Sequence, residues 1–211
     1  MSAQTPPHLS PRRKPLQARS RATIEAIFEA TIQLLLTDGA HRLTTTRVAE
    51  RAGVSVGTMY QYFPHKQALL YGLNERYLER LAARIETLCS EQRGQCLETM
   101  VGALIDTYWR AKTERADVTR VLYRTAVELD NEALIEAFAA RVDAATTAML
   151  ASASDAAFTD VQSVNLTLVT VIFGTVRNAF ERHLAPSEID HLRDEVLRMC
   201  CAYLRSASVH A

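Results

Sequence analysis

The sequence predicts an all-α protein of about nine helices. Gly and Pro number only seven and six in 211 residues, whereas strong helix formers such as Ala, Leu, Arg and Glu are abundant. Apolar residues recur three and four positions apart along most of the chain, which is the period of a helix with one buried face. A content of 48% hydrophobic and 23% charged residues is typical of a domain with its own core.

The first 17 residues predict a flexible basic arm. They contain four prolines and no apolar periodicity, and Arg12, Arg13 and Lys14 are adjacent. Such an arm can be an inert chain terminus, or it can reach into the minor groove of DNA. The sequence leaves both interpretations open.

A first helix is predicted from about residue 20. Ile24, Ile27 and Phe28 begin an apolar stripe at helical spacing. Gly39 ends the stripe, and we expect it in the left-handed conformation that commonly follows a last helical turn.

Two short helices are predicted next, at residues 45–52 and 55–63, with a turn at Gly53 between them. Ser55 is a favourable N-cap for the second helix. Pro64 ends that helix, because the residue before a proline avoids the helical conformation.

A long helix is predicted to follow residue 65 and to end near residue 91, since Leu73, Tyr77 and Leu81 continue one stripe and Gly94 breaks it. The remaining helices are predicted at residues 95–112, 117–128, 131–152, 160–184 and 187–206.

Residues 161–176 favour a strand by composition, since they are rich in Val, Ile and Thr. A lone strand among helices would have no partner, and the segment is longer than most strands. We therefore predict a helix that is buried on several sides.

The two short helices meet the requirements of a helix-turn-helix joint. The first needs a small residue where the second crosses it, and Ala49 is there. Four residues later the turn needs a residue that tolerates positive φ, which is Gly53. The inward-facing apolar positions are Val48, Ala52, Val54, Met59 and Tyr62.

The charges are divided unevenly along the chain, although the net charge is zero. Residues 1–70 carry nine Lys and Arg against four acidic residues, whereas the remainder carries 15 against 20. A basic N-terminal segment followed by an acidic remainder is typical of a DNA-binding domain joined to a domain with another function.

The segment 44–63, TTTRVAERAGVSVGTMYQYF, followed by Pro64, Lys66 and Leu69, resembles the DNA-binding signature of the tetracycline-repressor (TetR/AcrR) family. The resemblance covers roughly residues 18–70, about a quarter of the chain. It implies a homodimer with two helix-turn-helix heads on a palindromic operator. It also implies a C-terminal domain whose ligand pocket governs release from that operator.

The resemblance and the composition together suggest three parts. We expect residues 1–17 to be the arm, residues 18–66 the helix-turn-helix DNA-binding domain, and residues 67–211 the ligand-sensing and dimerisation domain. Repression is the expected outcome of DNA binding, because the sequence contains no visible activation surface.

Residues 55–63 are predicted to be a recognition helix in the major groove of double-stranded DNA. Val56 and Gly57 are small enough for close approach, and Thr58 can offer a hydroxyl or a methyl group. The backbone N–H groups that begin the preceding helix suit a phosphate, as does the charge of Lys66. The predicted DNA-contacting residues are Thr45, Thr46, Arg47, Ser55, Val56, Gly57, Thr58, Tyr60, Gln61, Tyr62 and Lys66.

The resemblance implies phosphate contacts at Thr58, Tyr60, Tyr62 and Lys66. A place in the core is the stronger interpretation for the ring of Tyr62. Gln61 can equally be a solvated side chain.

Large aromatic and apolar side chains in the second part could line a pocket for a small, largely apolar effector. Tyr108, Trp109 and Tyr123 combine aromatic surface with polar groups. The alternative is that these residues are simply the core of a helical bundle. The predicted effector-binding residues are Leu104, Tyr108, Trp109, Tyr123 and Phe173.

Two apolar stripes, within residues 166–180 and 189–203, predict a dimer interface. Two stripes from each of two chains would pack as a four-helix bundle, and a symmetric dimer fits a palindromic operator. One stripe could instead belong to the internal core. The predicted interface residues are Val169, Phe180, Leu192, Val196 and Tyr203.

Two other functions are compatible with parts of the sequence. Cys89 and Cys96 straddle Gly94 and could make a redox-responsive helix-turn-helix regulator. Glu188 and His191 have the Glu-x-x-His spacing of ferritin-like iron sites, but that chemistry needs a second copy, and the chain lacks one. We therefore predict a regulator and not an enzyme, with no catalytic residue, metal or cofactor.

We expect a cytoplasmic protein with no membrane partner. The first fifteen residues are polar and contain no apolar leader. The longest apolar stretch, residues 166–176, is well short of the roughly 20 residues that span a bilayer. None of the four cysteines belongs to a Cys-x-x-Cys pair.

Overall fold

The computed structural model describes residues 18–126, 129–182 and 184–209, and these residues form nine α-helices. The helices are α1 (Ala18–Asp38), α2 (Thr45–Ala52), α3 (Val56–Tyr62), α4 (Lys66–Glu91), α5 (Leu97–Thr113), α6 (Ala116–Ala126), α7 (Glu132–Leu150), α8 (Val161–Glu181) and α9 (Pro186–Ala207). The predicted all-α fold is confirmed. The predicted arm, with Arg12, Arg13 and Lys14, lies outside the described residues.

The end of α1 differs from the prediction in one backbone angle. Gly39 has a φ of 77°, as a glycine allows, but its ψ of 168° lies outside the left-handed helical region. The prediction for this residue was wrong because the chain turns at once into a short 3₁₀ helix, Ala40–Arg42, whose N-cap is Gly39.

The chain is divided between two compact units. The first comprises residues 1–78 and 115–136, and the second comprises residues 79–114 and 137–211. Helices α4 and α7 therefore contribute residues to both units. The predicted boundary after residue 66 concerns function, and it stays a prediction.

The core of the first unit joins α1, α2, α3 and the start of α4. The rings of Phe28 and Phe63 meet there with centroids 5.5 Å apart. Gly72 on α4 makes room for Phe63, since a β-carbon at residue 72 would lie 2.9 Å from Phe63 Cε1. Helix α6 adds Val118 and Leu122 to the same core.

Polar contacts also attach α6 to the first unit. Arg115, just before α6, forms an ion pair with Glu29 of α1 at 3.4 Å. Thr119 hydrogen-bonds the phenol of Tyr77 on α4, whose pKa burial raises. Exposed ion pairs contribute little, so the buried apolar contacts of α6 dominate its attachment.

The core of the second unit is formed mainly by α5, α8 and α9. Its most deeply buried side chains include Leu104 and Ile105 on α5, Leu168 and Ile172 on α8, and Leu204 on α9. Buried residues recur three or four positions apart on each helix, as Val101 and Leu104, Leu168 and Ile172, and Cys200 and Leu204 do, so each helix has one apolar face toward this core.

Helix α8 contains the segment whose composition favours a strand, and the prediction of a helix for residues 161–176 is confirmed. The predicted burial on several sides is wrong for the single chain, because Leu166 is 61% exposed and Thr167 and Thr170 are exposed as well. Asp160 begins α8 as its N-cap, since its carboxylate accepts a hydrogen bond from the Ser163 N–H at 3.0 Å. Among the described helices, none is both long and apolar enough to cross a bilayer.

Candidate nucleic-acid interface

Helix α2 has a capped start and a glycine end. The Thr44 hydroxyl accepts a hydrogen bond from the Arg47 N–H at 3.3 Å. At the other end Gly53 has φ 67° and ψ 30°, the left-handed conformation. The Val54 N–H then reaches back to the Ala49 carbonyl at 3.0 Å, which turns the chain sharply toward α3.

Helix α3 is capped and rests on a fully buried inner face. The Ser55 hydroxyl accepts a hydrogen bond from the Thr58 N–H at 3.0 Å. Met59 has no exposed surface, and neither do Val48 and Ala49 on α2. The partly buried Ala52, Val54 and Tyr62 pack against the same core. A helix of only two turns is barely stable in isolation, so α3 is held in place by packing against its neighbours and not by its own helix propensity.

The opposite face of α3 is open to solvent. Tyr60 is 43% exposed and Val56 is 38% exposed, which is high for large apolar side chains. Gly57 and Gln61 are exposed as well. These four positions form one face at helical spacing, so α3 presents a continuous surface that can enter a groove.

The N-terminus of α2 lies beside this surface. The Thr45 side chain is 9% exposed, and its hydroxyl lies 3.5 Å from the Tyr60 hydroxyl. Thr45 therefore faces inward, whereas Thr46 is exposed. Both occupy the first turn of α2, where a helix leaves its N–H groups without intrahelical acceptors.

The two basic residues that were predicted to contact DNA, Lys66 and Arg47, donate hydrogen bonds to backbone carbonyls of this chain. The Lys66 ammonium donates a hydrogen bond to the Ala40 carbonyl at 2.5 Å. Arg47 donates to the Arg42 carbonyl at 2.9 Å and forms an ion pair with Asp38. The hydrogen bond from Arg47 lowers the pKa of the Asp38 carboxyl. Both cations are partly exposed, so a phosphate could reach them in these positions.

Arg42, which was not among the predicted contacts, is exposed within that 3₁₀ helix. Its carbonyl orients Arg47, and its own guanidinium adds a third cation near the start of α2. A basic residue two positions before Thr44, the N-cap of α2, was the available sequence signal.

The predicted effector residues do not all belong to one unit. Tyr108 and Phe173 stack with centroids 3.9 Å apart and planes at 9°. Leu104 and Trp109 are buried in α5 of the same unit, whereas Tyr123 belongs to the first unit.

Lys112 was not among the residues predicted to bind an effector. It lies on α5 and is 2% exposed, and its Nζ is 5.1 Å from the centroid of the Tyr108 ring. Burial, helped by the charge of Arg177, lowers the pKa of Lys112 to about 7. A lysine one turn after Tyr108 in a largely apolar helix was the available sequence signal.

The predicted interface residues divide by burial. Phe180 and Val196 are buried within the single chain, whereas Val169, Leu192 and Tyr203 are half-buried. Large apolar side chains that are exposed on the same two helices are Leu166 of α8, at 61%, and Met199 of α9, at 51%.

The four cysteines are free thiols. Burial raises the pKa of Cys89 to about 11, which makes its thiolate scarce. Cys96 lies at the N-cap of α5, where a hydrogen bond with Thr99 lowers its pKa. The pKa values of the two thiols predicted as a redox pair are thus shifted in opposite directions.

The Glu-x-x-His pair has local partners on α9. Glu188 accepts a hydrogen bond from the Ala185 N–H at 2.8 Å, which caps the helix. His191 lies 3.8 Å from Glu195, one turn on. These contacts explain both side chains without a metal.

The chain matches two family models. "Bacterial regulatory proteins, tetR family" matches residues 27–72, and "Tetracyclin repressor-like, C-terminal domain" matches residues 96–204. Among curated proteins it is similar to the nucleoid occlusion factor SlmA of Vibrio campbellii, with 34% identity over 113 residues. The SlmA of Vibrio atlanticus is 32% identical over 111 residues. Each match covers 52% of this chain and 56% of the relative, so the chain spans about half the length of the curated relatives it matches.

Solved structures share the fold. A protein of unknown function from Rhodococcus sp. RHA1 superposes with a TM-score of 0.66 at 19% identity, covering 89% of this chain and 96% of that one. A TetR-family transcriptional regulator from Streptomyces coelicolor superposes with a TM-score of 0.62 at 24% identity, covering 88% and 99%. The helix-turn-helix geometry, the family models over both parts of the chain and this shared fold agree, and the chain belongs to the TetR family of transcription regulators.

Proposed function

We propose that this protein is a ligand-responsive repressor that binds a palindromic operator as a homodimer and acts in the cytoplasm. The proposal rests on the difference between the two faces of α3, one buried and one exposed to solvent. Met59 is fully buried on one side, and Tyr60 and Val56 are exposed on the other. Residues 18–66 would act as the DNA-binding domain, and residues 67–211 would sense the effector and dimerise.

In this proposal α3 lies in the major groove. Tyr60 would bind a phosphate through its hydroxyl, while Val56, Gly57 and Gln61 lie nearest the base edges. The first turn of α2 would hold a second phosphate through the N–H groups of Thr45 and Thr46.

The DNA-binding proposal can be tested by selection from a random duplex library with the full-length protein at low ionic strength. A homodimer should enrich inverted half-sites whose centres lie about 34 Å apart, one turn of DNA. Failure to enrich any sequence would refute the proposal.

Fluorescence anisotropy on the selected duplex then tests the surface itself. We expect Tyr60→Ala to weaken binding about tenfold, the equivalent of one hydrogen bond to a charged group. Ile135→Ala is the matched control, because it removes an exposed apolar side chain from α7 in the same unit. Equal affinities of the two variants would contradict the assignment of Tyr60.

The effector would be a small, largely apolar molecule that reduces operator affinity by about 5- to 150-fold, the usual range of allosteric coupling. The stacked Tyr108 and Phe173 support an effector site in the second unit. An apolar compound panel, added to the preformed operator complex, would identify such a molecule by loss of anisotropy.

A further inference from the structure

The exposed face of α3 carries no charged side chain. Between residues 52 and 65 the sequence contains no Lys, Arg, Asp or Glu. The helix therefore offers a branched apolar group at Val56, a phenol at Tyr60 and an amide at Gln61, all of them exposed. The commonest specific contact to a base is that of Arg or Lys with guanine, and α3 has no side chain that can make it.

The cations nearest to α3 in the sequence belong to neighbouring elements. Arg51, in the last turn of α2, donates a hydrogen bond to the Gln33 side chain at 3.1 Å. Arg47 pairs with Asp38, and Lys66 donates to a backbone carbonyl of the 3₁₀ helix. The positive charge thus lies beside α3 and not on it. This distribution suits phosphate contacts around an uncharged face that reads bases.

Gly57 lies on the same exposed face, and packing within the chain does not require a glycine there. Its backbone is ordinary helix, and among the described residues an added β-carbon would meet only the Ser55 hydroxyl, at an uncrowded 3.7 Å. Glycine destabilises a helix relative to alanine, but it lets another molecule approach the backbone closely. The position therefore favours a close contact between α3 and its ligand.

We propose that the exposed face of α3 reads A·T base pairs in the major groove. Val56 packs against the C5-methyl group of a thymine, and the Gln61 amide binds N6 and N7 of an adenine. Thymine is the base that presents a methyl group in this groove, and the donor and acceptor of adenine match an amide. Gly57 lets the short valine side chain reach the base. The inference rests on the proposed function, because it names the bases that the DNA-binding surface recognises.

The test uses the full-length protein and the duplex selected from the random library. Each thymine of one half-site is replaced in turn by deoxyuridine, which removes only the methyl group. We expect at least one replacement to weaken binding about fourfold in fluorescence anisotropy, as for the loss of one buried methyl group. No loss at any thymine would overturn the inference.

The adenines are tested in the same way. Each is replaced by 7-deazaadenine, which removes the N7 acceptor, and one replacement should weaken binding about fivefold, as for one hydrogen bond. Both altered groups lie in the major groove, so contacts in the minor groove do not affect the result. No loss at any adenine would overturn the inference.

Two variants assign these losses to side chains. Val56→Ser should bind the thymine and deoxyuridine duplexes equally, because it lacks the apolar surface. Gln61→Ala should no longer respond to 7-deazaadenine and should still respond to deoxyuridine. Ile135→Ala loses an exposed apolar side chain from α7 and should keep both responses. A Val56→Ser variant with native circular dichroism that still distinguishes thymine from deoxyuridine would overturn the inference.

Gly57→Ala separates stability from DNA binding. The variant should unfold at a higher urea concentration than the wild type, because alanine favours the helix. It should nevertheless bind the selected duplex at least about fivefold more weakly, since the added methyl group overpacks the contact with the bases. Gly102→Ala, at an uncrowded position of α5, should gain stability with unchanged DNA affinity. Equal affinities of the two variants would overturn the close approach that the inference requires.

Failure of this inference is distinguishable from failure of the proposed function. A protein that selects no duplex would refute both. Selected half-sites without A·T pairs, or with A·T pairs whose methyl and N7 groups are dispensable, would overturn this inference and leave the proposed function standing.

Discussion

Burial of the Lys112 ammonium, reinforced by the charge of Arg177, lowers its pKa from 10.5 to about 7. The unfolded chain therefore holds more protons than the folded chain between these two values. In that window stability rises with pH, and below about pH 7 the full penalty of the buried charge is present.

We expect Lys112→Met to be more stable than the wild type, because it removes this penalty. The gain should be on the order of 4 kcal/mol at pH 6 and about 2 kcal/mol smaller at pH 9. Urea unfolding of both proteins at pH 6, 7.5 and 9 measures the difference. A difference that does not change with pH would contradict the argument.

A second electrostatic prediction concerns the contribution of the Lys66 charge to DNA binding. If it contacts a phosphate, Lys66→Ala should weaken binding to all duplexes and reduce the slope of log K against log salt concentration by about 0.9. The hydrogen bond to the Ala40 carbonyl would be lost as well, so thermal stability is measured in parallel. Arg93→Ala loses the same charge elsewhere and serves as the control, and an unchanged slope for Lys66→Ala would exclude the contact.

Among the elements, α4 depends on a glycine at its contact with Phe63. A β-carbon at residue 72 would lie 2.9 Å from Phe63 Cε1 and 3.6 Å from Phe28 Cζ. We expect Gly72→Ala to destabilise the protein by about 1–3 kcal/mol, as overpacking does.

Gly102 on α5 is the matched helical position. A β-carbon there would meet only Leu197 Cδ1, at an ordinary 3.9 Å. Gly102→Ala should therefore stabilise the protein by about 0.5–1 kcal/mol through helix propensity. Chemical unfolding of both variants checks the opposite signs, and a stable Gly72→Ala variant would contradict the packing.

The helices were predictable because each leaves a local signal. Ser55 as a cap, Gly53 as a turn and apolar residues at spacings of three and four define α2, α3 and α4 within a few residues. Helix α8 was harder to predict, because its Val and Thr content favours a strand, and the helix was chosen because a lone strand would have no partner and the segment is longer than most strands. The predicted ψ of Gly39 was wrong because the 3₁₀ helix that follows, and not α1, sets the conformation of this residue.

Side-chain partners distant in sequence were not predictable. The acceptor of Lys66 lies 26 residues earlier, at Ala40, and no periodicity encodes such a pair. The burial of Lys112 depends in the same way on how α5 and α8 pack. The sequence therefore predicted the exposed face of α3, but it predicted neither the acceptor of Lys66 nor the burial of Lys112.

For the whole molecule, the exposed apolar side chains of α8 and α9 predict where a second copy binds. Leu166→Glu would place a charge in a buried interface and should weaken dimerisation by at least about 100-fold. Sedimentation velocity across a concentration series measures the shift toward monomer. Ile135→Glu is the control, because Ile135 is exposed to a similar extent, 58%, in the first unit; equal dimerisation of both variants would place the interface elsewhere.

The packing of α6 in the core of the first unit limits which fragments and chimeras of this regulator can fold. The chain leaves that unit at residue 78 and returns at residue 115, so a fragment that stops after the first part of α4 loses Val118 and Leu122 from its core. A chimera that combines the first unit with a different second unit would therefore need residues 115–136 in addition to the residues before 79. A single crossover within residues 79–114 would separate the two segments of this unit.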